Sequence, residues 1–213
     1  MAKGFIIAVD GPAASGKGTM AQRLAALYGL PHLDTGLLYR VVGIATPDLG
    51  DEAAAEAAAR ALSPRDLEAP EVRTRAAGEA ASRVAVYPGV RAALLEFQRA
   101  FAGQPGGAVL DGRDIGTVIA PGAPAKLYVT ATPEVRAERR RRQLQSQGEA
   151  VAYADVLADI LKRDARDGGR ETAPMAKAAD ATLLDTSEMT IDAAFDAARR
   201  IVEASRARWE ASR

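Results

Sequence analysis

The sequence predicts an α/β fold: a doubly wound, five-stranded parallel sheet with helices on both faces. Three observations carry this. Short, branched apolar runs recur along the chain, helical patterns separate them, and small or acidic turn residues close them. A length of 213 residues suits one domain with a small insertion and is ample to bury a core.

Phe5–Val9 (FIIAV) is closed by Asp10-Gly11-Pro12, and its length and branching favour a buried strand over a helix. Beyond a glycine-rich turn, Met20, Leu24 and Leu27 recur at helical spacing up to Gly29, a stop signal. His32 lies between Pro31 and Leu33 in a short strand-like stretch. Leu38–Ile44 is a further apolar segment, and the alanine-rich Ala53–Ala61 reads as a peripheral helix with little to bury. Pro64, Pro70 and Pro88 punctuate short helical pieces, of which Val72–Val86 and Val90–Phe101 are the most regular. Val41 to about Tyr87 thus reads as a helical insertion.

Order resumes with Ala108–Leu110, which runs into Asp111-Gly112-Arg113-Asp114. Lys126–Thr130 (KLYVT) is the next strand, followed by the helix-start signal Thr132-Pro133-Glu134. Arg136–Gln145 and Tyr153–Asp167 are two helices joined at Gly148. Ala181–Leu184 is the last strand and Ile191–Trp209 the last helix. No internal repeat is evident.

Composition narrows the chemistry. Lys+Arg and Asp+Glu number 28 each, and this balance argues against an overall basic surface for nucleic acid or acidic membranes. No apolar run approaches the roughly 20 residues that span a bilayer, and too little precedes the first strand for a signal peptide. A cytoplasmic location is expected, with no membrane or nucleic-acid partner. There is no Cys, which excludes disulfides and thiolate chemistry. One histidine, His32, cannot build a multi-histidine metal cluster and is read as hydrogen-bonded scaffold. Lys, Arg, Asp, backbone amides and a bound metal remain.

Gly11-Pro12-Ala13-Ala14-Ser15-Gly16-Lys17-Gly18-Thr19 matches GxxxxGK between a buried strand and a helix. Such a loop points successive N–H groups at phosphate oxygens, the helix N-terminus adds partial positive charge, and Lys17 reaches the terminal phosphates. The hydroxyl that commonly follows the lysine comes one residue later, at Thr19, a candidate Mg²⁺ ligand. This GKGT variant suggests a nucleotide kinase over a switch GTPase. The chain also lacks Asn, so the Asn-Lys-x-Asp guanine element of such GTPases is absent.

Phosphoryl transfer gathers negative charge and needs positioning and neutralisation more than His or Cys. Arg163, Arg166, Asp167 and Arg170 share one helical face beside Gly168-Gly169, as a mobile lid over phosphates would require; a solvated, salt-bridged face reads equally well. Arg136, Arg139, Arg140, Arg141 and Arg142 cover more than one face, so some are surface charge, with a phosphate role for Arg139 or Arg140. Asp111 falls at the crevice edge of the sheet, where an acid can hold Mg²⁺ or its waters, or simply form a turn before Gly112.

Asp10-Gly11-Pro12, the GKGT step, Leu33-Asp34-Thr35-Gly36 with Tyr39-Arg40, DGRDIGT from Asp111 to Thr117, and Lys162-Arg163-Asp164-x-Arg166-Asp167 with Arg170 and Ala173-Pro174 closely resemble bacterial cytidylate kinases. The likeness runs in order from about residue 5 to 200. It implies a P-loop NTPase fold that binds ATP through Gly11 to Thr19 and passes the γ-phosphate to CMP or dCMP; Arg139, from the basic run, is the further candidate ATP contact. By the same resemblance Lys17, Arg113, Arg163 and Arg166 serve catalysis, and Arg40, Arg113 and Arg163 hold the acceptor phosphate beside Thr35. Asp167 takes the sugar hydroxyls, Ser82, Arg91 and Asp114 read cytosine, and Arg170 closes over the site. Cytosine offers an amine to a carboxylate and acceptors to a guanidinium, whereas uracil would turn an oxygen toward Asp114.

The resemblance also implies one P-loop kinase domain over 1–213. Its core is about 1–40, 102–140 and 171–213, its nucleoside-monophosphate region about 41–101 and its lid about 141–170. Two departures stand out: Ala14 replaces a frequent glycine, and the stretch between Arg40 and Ser82 is shortened, without the alternating pattern of a β-rich insert. Mg²⁺ is the expected cofactor, ATP and CMP or dCMP the expected partners, and a monomer the expected state. The alternatives are a P-loop kinase for UMP, AMP or shikimate, or a non-catalytic nucleotide sensor that uses the Arg136–Arg142 run as a nucleic-acid surface.

Overall fold

The computed structural model describes residues 4–213. Five parallel strands, β1 (Phe5–Asp10), β2 (His32–Asp34), β3 (Gly107–Gly112), β4 (Ala125–Thr130) and β5 (Thr182–Asp185), form one sheet in the order β2-β3-β1-β4-β5. Because every pair is parallel, all carboxyl ends share one edge. The register there sets Val9 and Asp34 beside Asp111, and Asp10 beside Gly112.

Among the described residues there are eight α-helices: α1 (Lys17–Tyr28), α2 (Thr35–Ala45), α3 (Glu52–Ala61), α4 (Arg75–Val84), α5 (Pro88–Ala102), α6 (Pro133–Ser146), α7 (Tyr153–Gly168) and α8 (Ile191–Ala211). Alternation along β1 divides the core. Phe5, Ile7 and Val9 pack with Met20 and Leu24 of α1 and Ala198 and Val202 of α8. Ala8 packs on the other face with Leu38 and Val42 of α2 and Leu94 of α5. Each fully buried leucine among these contributes about 1.5–3 kcal/mol by leaving water. A third, smaller core joins α6 to α7 through Ala137, Leu144, Val156 and Ile160, and Ala14 packs against it.

The structure departs from the expected elements where long-range contacts intervene. Leu38–Ile44 belongs to α2, which starts earlier because the Asp34 carboxylate accepts a 2.9 Å bond from Gly36 N–H and caps it. The expected helix over Val72–Val86 breaks at Thr74, whose hydroxyl caps α4 after a separate 3₁₀ turn at Pro70–Arg73. Ala53–Ala61 is helical but not idle on the periphery: Ala55 is fully buried, and the small methyls let α3 pack close on α5. Residues 41–101 contain no strand, as the missing alternation predicts. The expected limits near 40, 101 and 140 fall inside α2, α5 and α6.

Candidate active site

The glycine-rich loop leaves β1 and enters α1 at the carboxyl edge. Gly11 takes φ +150°, and a Cβ there would stand 1.9 Å from the Val129 carbonyl oxygen, so the turn seats against β4 only without a side chain. Ala14 sits at φ +59°, a left-handed conformation that costs an L-residue about 1–2 kcal/mol. Gly16, at φ +90°, caps α1. Residues Ala13 to Thr19 line a cavity of about 690 Å³. Gly11 and Pro12, expected among the ligand-facing residues, do not line it: Gly11 packs on the sheet, and the Pro12 carbonyl accepts a 3.3 Å bond from Lys17 Nζ.

Burial lowers the Lys17 ammonium to about 7, with nearby Arg113 adding to the effect and Asp111 and Asp34 opposing it. Asp111 is 2% exposed. Its Oδ1 lies 2.7 Å from His32 Nε2, while Oδ2 lies 3.7 Å from where a Gly18 Cβ would be, near the start of α1. Thr35 donates to the Asp111 carbonyl at 2.8 Å. Asp34, beside them, is pushed up by burial and then by the Asp111 charge. His32 is scaffold as expected, and what it holds is the candidate metal-ligating acid. Beneath, both Asp10 oxygens accept backbone N–H groups, from Ile115 and Gly116, each at 2.8 Å. Burial nonetheless raises Asp10 to about 6. Asp10 thereby fixes the turn that follows Arg113 and Asp114.

A second, narrow cavity lies between α2, α4, α5 and α7, and its walls include Thr35, Ser82, Arg91, Asp114, Asp167 and Arg170. Asp167 accepts from Arg113 Nε at 2.9 Å and from Arg170, with Arg163 Nε 3.9 Å away. Burial would raise the Asp167 carboxyl, but Arg113, Arg170 and Arg163 hold it below its ordinary value. Arg163 is itself lowered to about 10 by burial and by Arg113. Arg91 pairs with Asp114 and donates to the Ala85 carbonyl at 3.3 Å. Ser82 Oγ, Arg163 Nε and Arg170 Nε are buried without a hydrogen-bond partner. Polar atoms left this way are costly unless a ligand satisfies them. Both cavities are lined by Gly36, Gly112, Arg113 and Arg163, so those two arginines stand where the spaces meet.

The profile of the cytidylate kinase family matches residues 7–204. The chain belongs to that family. A cytidylate kinase of Caulobacter vibrioides strain NA1000 is 73% identical over 209 residues, covering 96% of this chain and 98% of the relative. One from Xanthobacter autotrophicus is 65% identical over 206 residues, covering 95% and 99%. In fold, the chain is similar to the crystal structure of an uncharacterized protein from Eubacterium ventriosum, with TM-score 0.60 at 17% identity, covering 95% of this chain and 99% of that one.

Not every expected residue of this cytidylate kinase site converges. Arg166 turns away: it pairs with Glu79 of α4 at 3.0 Å and lines a separate cleft with Val86 and Pro88, because its position on α7 faces α4. Arg40 lines neither of the two cavities; it donates to the Val72 and Thr74 carbonyls at 2.9 and 3.2 Å, at the rim over Gly78 and near Arg163. Arg139 does face the larger cavity, held by Thr186. Sequence reasoning passed over Arg23, Met189, Ile191 and Phe195, which form the far wall of that cavity. Met189 and Ile191 are exposed apolar residues at the cavity, some distance along the chain from the phosphate loop, and only the fold brings them to it.

Proposed function

We infer that the protein is an ATP-dependent cytidylate kinase that converts CMP or dCMP to CDP or dCDP with release of ADP. One observation carries the site assignment: a phosphate-loop cavity and a cavity walled by Ser82, Arg91 and Asp114 share Arg113 and Arg163 at their junction. Two polyanions placed in these spaces would meet at those guanidinium groups.

The ATP phosphates lie along Ala13 to Thr19, with Lys17 on the outer phosphates, Arg139 alongside, and Met189 and Ile191 beneath the base. CMP occupies the narrow cavity, with its phosphate on Arg113 and Arg163, its sugar near Asp167 and Arg170, and its cytosine read by Ser82, Arg91 and Asp114. Thr35 sits beside the acceptor phosphate, and Arg40 reaches it from the rim. A CMP phosphate oxygen attacks the γ-phosphorus, the bond to the β–γ bridging oxygen breaks, and ADP leaves with that electron pair. Lys17, Arg113 and Arg163 counter the charge that develops on the transferring group. Arg166 acts from outside, through its bond to α4.

No group of three or more His, Cys, Asp or Glu among the described residues could hold a metal ion by itself. That fits Mg²⁺ carried mainly by the nucleotide, which takes few protein ligands besides phosphates and water. Thr19 and Asp111 Oδ2, both at the phosphate cavity, are the residues that would hold it. When bound it neutralises phosphate charge and fixes the geometry of the chain. The acceptor region is α3 to α5 with the end of α2, and the lid is α6 and α7. A cytoplasmic monomer with these small molecules as partners belongs to the same proposal; no described helix is long and apolar enough to cross a membrane.

ADP release measured across CMP, dCMP, UMP, AMP and shikimate tests this function. Release with CMP and dCMP well above the others is expected. Equal release with UMP would contradict the assignment of Asp114.

A further inference from the structure

Arg136 has no part in the roles above, yet its side chain is only 3% exposed. Three groups from separate segments use its guanidinium. Nε donates to the Ala131 carbonyl at 2.9 Å, after β4. Nη1 donates to the Ala13 carbonyl in the phosphate loop at 3.2 Å. Nη1 and Nη2 meet the two Asp164 oxygens of α7 at 3.1 and 2.5 Å. Only the planar fork of arginine supplies donors in these directions at once; a lysine ammonium is one point on a flexible stem.

The Ala13 bond has a consequence one atom further on. A trans peptide is planar, so its C=O and N–H point in opposite directions. Holding the Ala13 oxygen toward Arg136 aims the Ala14 N–H the other way. Ala14 is also the loop residue held at φ +59° and packed against the core of α6 and α7. The peptide that Arg136 grips is therefore the one where the loop meets those two helices. Asp164 carries the linkage further, since Arg163 precedes it and Asp167 follows within a turn of the same helix.

We propose that Arg136 is a positioning residue for ATP. It orients the Ala13–Ala14 peptide so that the Ala14 N–H faces a phosphate oxygen, and through Asp164 it ties that orientation to the helix bearing Arg163. This rests on the reading that Ala13 to Thr19 bind the ATP phosphates.

The test follows backbone amide resonances of Ala14, Gly16 and Gly18 in ¹⁵N-labelled protein titrated with a non-hydrolysable ATP analogue, together with steady-state kinetics of Arg136→Lys and Asp164→Asn. In the unaltered protein all three amides move downfield. In Arg136→Lys the Ala14 response is lost while Gly16 and Gly18 still respond, and KM for ATP rises about tenfold, the worth of one charge-assisted hydrogen bond. KM for CMP stays within about twofold, a split that general loosening would not give. Asp164 is 23% exposed and Asn keeps its shape, so Asp164→Asn tests the linkage, with its folding checked by urea unfolding because the buried Arg136 loses its counter-charge. This variant raises KM for ATP less than Arg136→Lys, and the double variant is no worse than Arg136→Lys alone. If Arg136→Lys does not fold, the wild-type titration and Asp164→Asn decide. An Ala14 amide that stays still while Gly16 and Gly18 move, or a KM for ATP unchanged in both variants, overturns the proposal and leaves the ATP site standing. Silence of all three amides overturns the ATP site and the proposal with it.

Discussion

Arg113 Nε donates to Asp167 Oδ2 at 2.9 Å, which joins the segment after β3 to the last turn of α7. Arg170 uses the other oxygen. Replacing Asp167 by Asn leaves buried guanidinium groups without a counter-charge. A loss of about 3–5 kcal/mol in urea unfolding is expected, with a KM for CMP raised more than tenfold. Because the folded carboxyl lies below its ordinary value, its stabilisation is complete above about pH 4 and is lost as pH falls through the folded value. The Asn variant should therefore show a flatter acid limb of stability against pH.

Lys17 titrates in the other direction. Burial brings it to about 7 from 10.5, so between these values the unfolded chain binds the extra proton and this group's contribution to stability rises with pH. Phosphate oxygens favour the ammonium form, so ATP binding at pH 8 should take up close to one proton. Calorimetry in buffers of different ionisation enthalpy reads this uptake directly. The Lys17→Met variant should show none and lose about 10²–10³ in kcat.

Ser82 Oγ is buried without a partner in a cavity wall. Its removal therefore separates folding from binding. Ser82→Ala should be as stable as the parent or more so by up to about 1 kcal/mol, while KM for CMP rises roughly tenfold with KM for ATP unchanged. A fall in stability would mean that the hydroxyl serves the fold.

Ala14 bears a left-handed strain that glycine would not, but its methyl also packs against α6 and α7. Relief of about 1–2 kcal/mol is offset by lost burial and by the freer unfolded chain. Ala14→Gly should thus unfold within about 1 kcal/mol of the parent. Ala14→Val, branched at a position of positive φ, should lose at least about 2 kcal/mol and raise KM for ATP. Denaturant melts with matched kinetics decide both.

The strands, the phosphate loop and most helices were legible in the sequence because each depends on local periodicity or on glycine at a fixed place. Phe5–Val9 and Ala108–Leu110 are apolar because both faces of the sheet are covered. The π-type turn at Ile115–Ile119 was not legible, since Asp10, over a hundred residues earlier, holds its first two amides. Within the site, residues of distinctive motifs such as DGRD reached the cavities. Arg166 was placed by its shared face with Arg163, but helix spacing does not reveal that Glu79 lies within 3.0 Å of it. Arg136 looked like one member of a surface run, because only the fold brings the Ala13 carbonyl and Asp164 to it.

The central claim is that phosphate passes from ATP to CMP between the two cavities joined at Arg113 and Arg163. ³¹P NMR of the purified protein with ATP, Mg²⁺ and CMP tests it most directly. The paired doublets of CDP should grow as the CMP singlet and the ATP triplet decline together, and Arg163→Ala should slow this severely while the fold is retained. Inorganic phosphate accumulating with the CMP signal unchanged would contradict the account.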